Sequence, residues 1–200
     1  MTALDEPSAL IVIDPQVDFL PMLEDGTRDT CGADAALANI AVLVVAARSA
    51  GLPVIFTQEV HRRELVDFGR ELDGDEPIHC LEGSPGAEIV NELEPLEGEW
   101  TIRKRRYSAF FATDLDLLLR GLGVRTIVAC GFLTDVCVHY TCVDAHQHDY
   151  RVIAVRDACG GSSAEASRAS FAAIEYLQTG SVVAVAEVVG EVERLRHVAA

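Results

Sequence analysis

Three residue types that can perform acyl-transfer chemistry stand where apolar, strand-like runs end. Asp14 follows the run LIVI, Lys104 ends the run WTIRK, and Cys137 comes shortly after the run TIVACGF. A carboxylate, an ammonium group and a thiol supply a proton acceptor, a fixed positive charge and a nucleophile. We interpret them as a candidate catalytic set. The alternatives are an aspartate that only caps a turn, a cysteine that only fills the core, and another cation of the run Arg103 to Arg106 in place of Lys104.

The segment around Cys137 predicts how its thiol becomes reactive. The β-branched and apolar run Thr126 to Phe132 predicts a strand that is buried on both faces. Gly131 and the pair Thr134-Asp135 then provide turn and N-cap residues, which places Cys137 in the first turn of a helix. Unpaired backbone N–H groups and the positive end of the helix dipole favour a thiolate there. The same N–H groups can hold an oxyanion.

Short apolar strands alternate with amphipathic helices along the chain. This alternation predicts right-handed crossovers and an α/β fold, a three-layer doubly wound sandwich with a six-stranded, mainly parallel sheet. We expect one domain over residues 1–200, because no linker or repeat interrupts the pattern. The predicted strands are Leu10 to Asp14, Val54 to Thr57, Trp100 to Arg103, Thr126 to Gly131, Val152 to Val155 and Val182 to Val185. The predicted helices are Ala33 to Ala50, Gly86 to Leu93, Leu115 to Leu122, Val136 to His148, Ala164 to Thr179 and Glu187 to Arg196.

A doubly wound sheet binds its ligands beyond the carboxyl ends of the strands, where the strand order reverses. Asp14, Lys104 and Cys137 all follow predicted strands, so we expect them to meet at that edge. The one long irregular segment, Glu59 to Ser84, is polar and charged. Long loops in compact α/β domains tend to carry function, so we expect this loop to border the site.

Composition excludes several classes of partner. The chain has 16 Lys and Arg against 32 Asp and Glu, a net charge of −16, and we therefore expect neither nucleic acid nor a membrane as a partner. The six cysteines are scattered and include no CxxC pair, which predicts free thiols. The N-terminal residues show no export signal and no run reaches the length of a membrane helix, so we expect a cytoplasmic protein.

Four motifs in the same order resemble the isochorismatase-like cysteine hydrolase family, which includes nicotinamidases, N-carbamoylsarcosine amidohydrolase and ureidoacrylate or biuret hydrolases. The motifs are DPQVDF, K-x-x-Y-S-A-F followed by TDLDLLLRGLGV, GFLTDVCV, and YRVIAVRDACGG. The resemblance runs from about Ala9 to Ala184. It implies a triad of Asp14, Lys104 and Cys137, and thereby selects Lys104 among the neighbouring cations.

The resemblance also implies further site features. A cis peptide bond is expected between Phe132 and Leu133, and the N–H groups of Leu133 and Cys137 are expected to form the oxyanion hole. Phe19, Tyr107 and Phe132 are expected to contact the substrate, with core packing as the alternative for Phe19. Members of the family are usually homo-oligomers, and we expect one here.

The implied activity is that of a cysteine-dependent amidohydrolase. Such an enzyme cleaves a C–N bond of a small amide, carbamoyl or ureido compound through a thioester and releases ammonia. Family members that cleave the vinyl ether of isochorismate typically lack the nucleophile, so the presence of Cys137 argues against that reaction. A scaffold without catalysis is disfavoured because all three triad residues are present. A metal-dependent nicotinamidase remains the alternative.

The nicotinamidases of this family bind a divalent ion, and part of their metal motif is present. His79 stands in the matching stretch HCLEGSPGA, whereas the segment after the second predicted strand has Glu59 where the family has aspartate, followed by His61 in register and Asp67 six residues on. These ligand types suit Zn²⁺, Fe²⁺ or Mn²⁺. The triad itself requires no cofactor. The alternative is that Glu59, His61 and Arg62 form hydrogen-bonded loop structure or contact a polar substrate.

Overall fold

Short runs of β-branched and apolar residues form six strands, which assemble into one sheet in the part of the chain that the structure describes. The structure is a computed structural model that describes residues 7–26, 28–74 and 76–199, with side chains described up to residue 194. Residues 1–6, 27, 75 and 200 of the predicted domain therefore lie outside the described residues. The strands are β1 (Ser8–Ile13), β2 (Val54–Glu59), β3 (Trp100–Lys104), β4 (Thr126–Phe132), β5 (Arg151–Gly160) and β6 (Val182–Val183).

The helices cover both faces of this sheet. They are α1 (Ala33–Ser49), α2 (Leu115–Gly121), α3 (His139–Gln147), α4 (Ala164–Leu177) and α5 (Val185–Ala199). Side chains alternate along each strand: Leu10 and Val12 of β1 join the core beneath α1 and α5, whereas Ile11 and Ile13 join the core beneath α2, α3 and α4. The three-layer α/β fold is confirmed. None of the described helices is both long enough and apolar enough to cross a membrane.

The strand order is β3-β2-β1-β4-β5-β6, and all neighbouring strands are parallel. The order therefore reverses between β1 and β4, which places the switch point between the carboxyl ends of these two strands. Gly131 makes this close pairing possible: it pairs with Ile13, has φ of 126°, and a Cβ atom there would lie 2.0 Å from the Ile13 carbonyl oxygen. Only glycine tolerates both the positive φ and the close approach.

The predicted helix from Gly86 to Leu93 is wrong. The segment contains only two short 3-10 helices, Pro85–Ala87 and Asn91–Leu93, with extended backbone between them. The reason is a tertiary contact, because Ile89 forms an antiparallel bridge with Gln16 in the chain that follows β1. Backbone pairing across the structure thus overrides the local helical pattern.

The last strand also ends earlier than predicted. β6 contains only Val182 and Val183, and Val185 begins α5 instead of ending the strand. The N–H of Val185 donates to the carboxylate of Asp157 at 2.8 Å, which satisfies one of the unpaired donors at the start of the helix.

We predict that Gly131→Ala destabilises the protein by about 1–3 kcal/mol or more, because the added methyl group overlaps the β1 backbone. Gly121→Ala is the matched control: Gly121 ends α2, has open space around its Cβ position, and should gain roughly 0.5–1 kcal/mol. Urea unfolding of both variants measures the difference. Equal stabilities of the two variants would contradict the steric argument.

Candidate active site

Lys104 is the centre of the site. It is the last residue of β3 and is 1% exposed. Its Nζ lies 2.7 Å from Oδ2 of Asp14 and 2.6 Å from Oε2 of Glu59, and it donates to the carbonyl of Arg106 at 2.9 Å. The β2–β3 register pairs Glu59 directly with Lys104, so parallel pairing brings the ammonium to the carboxylate. Among the cations of this run, Lys104 is the one that enters the site.

Asp14 is held rigidly just beyond β1. It is fully buried and has φ of 44°, a left-handed conformation. Its N–H donates to Oγ1 of Thr57 at 3.1 Å, and the Thr57 hydroxyl donates back to Oδ1 at 2.6 Å. This reciprocal pair fixes one carboxylate oxygen on β2 and leaves Oδ2 for Lys104.

Cys137 lies in a wide π-helical turn, Thr134–Val138, that precedes α3. Its side chain is buried, with Sγ 3.3 Å from Nζ of Lys104 and 3.6 Å from Oε2 of Glu59. Ligand atoms of Cys137, Asp14 and Glu59 all lie within 4.8 Å of one another. The structure thus brings the three residues of the predicted triad together and adds Glu59 to them.

The turn before Cys137 differs in detail from its prediction. The peptide bond between Phe132 and Leu133 is cis, as the family resemblance implied. Leu133 is the N-cap residue, and neither Thr134 nor Asp135 caps the helix with its side chain. Asp135 instead accepts hydrogen bonds from the N–H of Ser162 at 2.9 Å and from its hydroxyl at 2.5 Å, which ties the turn to the segment after β5.

Electrostatics keep the Cys137 thiol protonated at rest. Burial raises its pKa well above the ordinary value; Lys104 opposes this, but the charges of Asp14 and Glu59 add to it. The prediction of a thiolate stabilised by the helix start therefore does not describe the resting site. A separate proton acceptor is needed to generate the nucleophile.

The two carboxylates differ as bases. Burial and the charge of Glu59 raise the pKa of Asp14 despite the neighbouring Lys104. Burial acts in the same direction on Glu59, but Lys104 and the hydrogen bond to His61 outweigh it and hold the pKa of Glu59 well below its usual range. Asp14 is thus the stronger proton acceptor beside the thiol. Burial lowers the pKa of Lys104, but the charges of Asp14 and Glu59 outweigh it and keep Lys104 charged.

A second group of buried ligand-type side chains adjoins Lys104. The ligand atoms of these side chains lie within 4.8 Å of one another, and the group comprises Glu59, His61, Glu71 and His79. Nε2 of His61 is 2.9 Å from Oε1 of Glu59, and Nε2 of His79 is 3.9 Å from the same oxygen and 3.2 Å from Oε1 of Glu71. Neighbouring ligands of a tetrahedral zinc ion are about 3.3 Å apart, given bonds of roughly 2.0–2.1 Å.

These residues fit a divalent ion. Two imidazoles and two carboxylates are a common donor set for zinc, iron or manganese. Oε2 of Glu71 is buried and has no hydrogen-bond partner among the described residues. Burial lowers the pKa of His79, but the carboxylates of Glu59 and Glu71 outweigh it and raise the pKa to about 10. The cluster therefore favours a positive charge at its centre.

The predicted metal set is corrected at one position, because Asp67 lies outside this cluster. Its carboxylate is held 2.8 Å from Nη1 of Arg62 and 2.9 Å from Nε of Arg105. Glu71, in the 3-10 helix Gly69–Asp73, lies in the cluster instead. The sequence did not indicate Glu71, because side chains in an irregular loop do not alternate in direction with a regular repeat.

A cavity reaches Cys137 from the surface, and Phe19 and Tyr107 line it as predicted. The ring of Phe19 lies 5.1 Å from that of His79, and Tyr107 stacks at 5.7 Å on Tyr140. Phe132 is a correction: it is fully buried in the core beneath α1, so it does not face a substrate. Its neighbour Leu133 lines the cavity wall instead.

The fold and the site define a doubly wound α/β protein with a buried cysteine beyond the carboxyl edge of its sheet. The chain belongs to the isochorismatase family, because the family model described as the Isochorismatase domain matches residues 8–187. The predicted membership of the isochorismatase-like cysteine hydrolases is thereby confirmed.

Relatives of known name and structure agree with this assignment. The ureidoacrylate amidohydrolase of Variovorax paradoxus is 33% identical over an alignment of 173 positions, which covers 76% of this chain and 68% of the relative. An isochorismatase family protein from Desulfovibrio vulgaris superimposes with a TM-score of 0.82 at 33% identity, covering 92% of this chain and 97% of that one. Pyrazinamidase of Pyrococcus horikoshii, solved in complex with zinc, superimposes with a TM-score of 0.76 at 29% identity. The match covers 89% of this chain and 98% of the pyrazinamidase chain.

We predict that Lys104→Met destabilises the protein by about 3–5 kcal/mol, because it leaves two buried carboxylates unpaired. The loss should shrink as the pH falls: without the ammonium the pKa values of Asp14 and Glu59 rise, and protonation removes their repulsion. Adding Asp14→Asn should recover part of the stability at neutral pH. Urea unfolding across pH measures these effects.

The neighbouring exposed residue provides the control for that experiment. Arg103→Met removes a charge from the same strand and should change stability by no more than about 0.5 kcal/mol. A Lys104→Met protein as stable as the Arg103→Met protein would show that the ion pairs carry no net stabilisation.

Proposed function

We propose that the chain is a cysteine-dependent amidohydrolase that cleaves a C–N bond of a small amide, carbamoyl or ureido compound and releases ammonia. The observation that carries the proposal is the position of the Cys137 sulfur, 3.3 Å from Nζ of Lys104, beside the Asp14 carboxylate and at the end of a cavity. The family and the amidohydrolase names among its relatives support the same reaction class.

Acylation begins with proton transfer. Asp14 takes the thiol proton of Cys137, and the thiolate attacks the carbonyl carbon of the substrate. The backbone N–H groups of Leu133 and Cys137 hold the oxyanion that forms. Asp14 then returns the proton to the leaving nitrogen, so that ammonia departs and a thioester remains on Cys137.

Deacylation uses the same groups in the reverse sense. A water molecule gives a proton to Asp14, and the resulting hydroxide attacks the thioester carbon. Collapse of the intermediate breaks the C–S bond, and the proton on Asp14 passes to the departing sulfur. The products are the free acid, or the carbamate where a carbamoyl compound is cleaved, and the thiol of Cys137.

Lys104 and Glu59 set the electrostatics of these steps. The Lys104 ammonium stabilises the thiolate while Asp14 holds the proton, because it lies close to both atoms that change charge. Glu59 offsets part of that positive charge and positions Lys104 through its 2.6 Å contact. Its lowered pKa makes Glu59 a weaker base than Asp14, which assigns the proton to Asp14.

The size of the cavity beside Cys137 limits the reacting group. Its volume of about 10 Å³ accepts a group of roughly the size of one water molecule between Phe19, Tyr107 and Leu133. A terminal carbamoyl nitrogen meets this limit, whereas a bulky substituent on that nitrogen does not. Primary amides and terminal ureido groups are therefore the substrates that we propose.

Other reaction classes are less well supported. Vinyl-ether cleavage needs no acyl-enzyme intermediate, so it gives no role to the thiol of Cys137. A scaffold without catalysis gives no role to three buried ionisable groups around that thiol. Burial of such groups is costly and is common at functional sites.

A metal-dependent form of the reaction is the second candidate, and the four-residue cluster favours it. Glu59, His61, Glu71 and His79 would hold the ion, and a pyrazinamidase of the same fold was solved with zinc. A divalent ion bound there supplies positive charge and polarises a substrate atom. Glu59 would then contact both the ion and Lys104, while Asp14, Lys104 and Cys137 keep the roles given above.

We predict that Cys137→Ala lowers ammonia release by at least about 10³-fold, because the thioester cannot form. Cys31→Ala, which removes an exposed thiol, should retain full activity. Ammonia release over a panel of primary amides, ureido compounds and nicotinamide measures both variants. Thermal unfolding checks that each is folded, and an active Cys137→Ala protein would exclude the mechanism.

We predict further that the chelator-treated protein binds one zinc ion and that Glu71→Gln weakens this binding by at least about tenfold. Asp73→Asn, which removes an exposed acid of the same 3-10 helix, should leave the affinity unchanged, because Asp73 pairs with Arg70 outside the cluster. Calorimetry and metal analysis provide the readout independently of activity. Equal losses in the two variants would contradict the assignment of Glu71.

A further inference from the structure

The cavity in front of Cys137 has an inner and an outer part. The inner part, about 10 Å³, contains Cys137, and the outer part, about 240 Å³, opens to solvent. Phe19, Glu76 and Leu133 line both parts, so the two parts adjoin each other. A substrate whose carbamoyl nitrogen occupies the inner part would place its remaining atoms toward the outer part.

Carboxylates dominate the charged groups along this path. Those of the inner part are Glu59, Glu71 and Glu76, and those of the outer part are Asp18, Asp29 and Glu76. Among the described residues, His79 is the one basic side chain that lines either part. A substrate carboxylate would meet like charges there without an arginine or lysine to receive it.

Some of these carboxylates already have partners. Glu59 pairs with Lys104, Glu71 lies 3.2 Å from His79, and Asp18 accepts the N–H of Cys80 at 2.7 Å. Glu71 is 9% exposed, and its second oxygen, Oε2, has no hydrogen-bond partner among the described residues. A buried acceptor at the inner cavity therefore remains available to a donor from a ligand.

Glu76 and Asp29 are the acids that remain uncompensated. Neither forms an ion pair with any residue of the described ranges, and Glu76 stands where the inner and outer parts meet. Burial raises the pKa of Glu76; His79 opposes this, while Glu71 and Glu59 add to it. A cationic group in the outer part would relieve this repulsion, and an anionic group would increase it.

We propose that this cavity selects primary amides or ureido compounds whose outer portion is positively charged, with Glu76 and Asp29 as the specificity-determining residues. The proposal rests on the proposed function, since it takes Cys137 as the atom that the substrate must reach. It excludes carbamoyl compounds that carry a carboxylate on the outer portion. The electrostatic field of the cavity makes this selection when the substrate binds, before any bond is broken.

Methanethiosulfonate reagents test the charge of this path without knowledge of the substrate. The thiolate of Cys137 attacks the sulfenyl sulfur, a disulfide forms, and methanesulfinate leaves. We would compare the cationic trimethylammonioethyl reagent with the anionic sulfonatoethyl reagent on chelator-treated protein at low ionic strength. The protein carries Cys31→Ser, which removes the exposed thiol, and peptide mass spectrometry follows the modification of Cys137. The rates of the two reagents with 2-mercaptoethanol give their intrinsic reactivity. Each rate at Cys137 is divided by the rate of the same reagent with 2-mercaptoethanol to give the corrected rate.

The corrected rate with the cationic reagent should exceed that with the anionic reagent by at least about tenfold. Glu76→Gln combined with Asp29→Asn should lower this ratio at least about threefold, and added salt should lower it as well. Glu97→Gln is the matched control, because it removes an exposed acid before the start of β3, at the opposite edge of the sheet. These variants leave the four-residue cluster intact.

Different failures have different meanings. A corrected ratio of one or less, or a ratio that the double variant leaves unchanged, overturns the charge preference and leaves the proposed hydrolase intact. Absence of any Cys137 modification by either reagent, while Cys31 of the parent protein reacts, overturns the path from the outer part to Cys137 and with it the charge preference. Ammonia release by the parent and Cys137→Ala proteins decides the proposed hydrolase separately.

Discussion

A single buried ammonium group determines how this site is built. Lys104 is withdrawn almost entirely from water, and such a charge is tolerated only where opposite charges and hydrogen bonds surround it. Asp14 and Glu59 provide those charges from the ends of β1 and β2. Residues at the carboxyl ends of three adjacent strands therefore meet at the Nζ atom of Lys104. One cation against two carboxylates leaves an excess of negative charge beside Cys137. The thiol therefore stays protonated until Asp14 accepts its proton.

Glu59 joins two parts of the site that would otherwise be separate. One of its oxygens contacts Lys104 and the other contacts His61, so the carboxylate belongs both to the triad and to the histidine-containing cluster. A positive charge at this cluster would attract electron density from the Glu59 carboxylate, which also positions the Lys104 ammonium. The Glu59 side chain is one methylene longer than that of aspartate, and it reaches both partners.

The alternation of short apolar strands with amphipathic helices was sufficient to predict the parallel sheet and the strand ends that carry Asp14, Lys104 and Cys137. In the structure Phe132 lies on the side of Val128 and Cys130, in the core beneath α1. The family resemblance gave it a substrate contact that this register does not allow. Glu71 and the segment from Gly86 to Leu93 could not be predicted in this way. Their conformations depend on contacts with His79 and with the chain after β1, which are distant in sequence.

The reversal of strand order between β1 and β4 has a consequence for how the protein is made. The carboxylates, the ammonium and the thiol come from four strand ends that are widely separated along the chain, and the central pairing of β1 with β4 joins segments more than a hundred residues apart. Contacts of such long range form slowly, because the entropy of closing the intervening loop is lost first. Asp14, Glu59 and Lys104 precede Cys137 along the chain, and their strands lie on one side of the switch point. Cys137 follows β4, so the site is complete only when β4 has paired with β1.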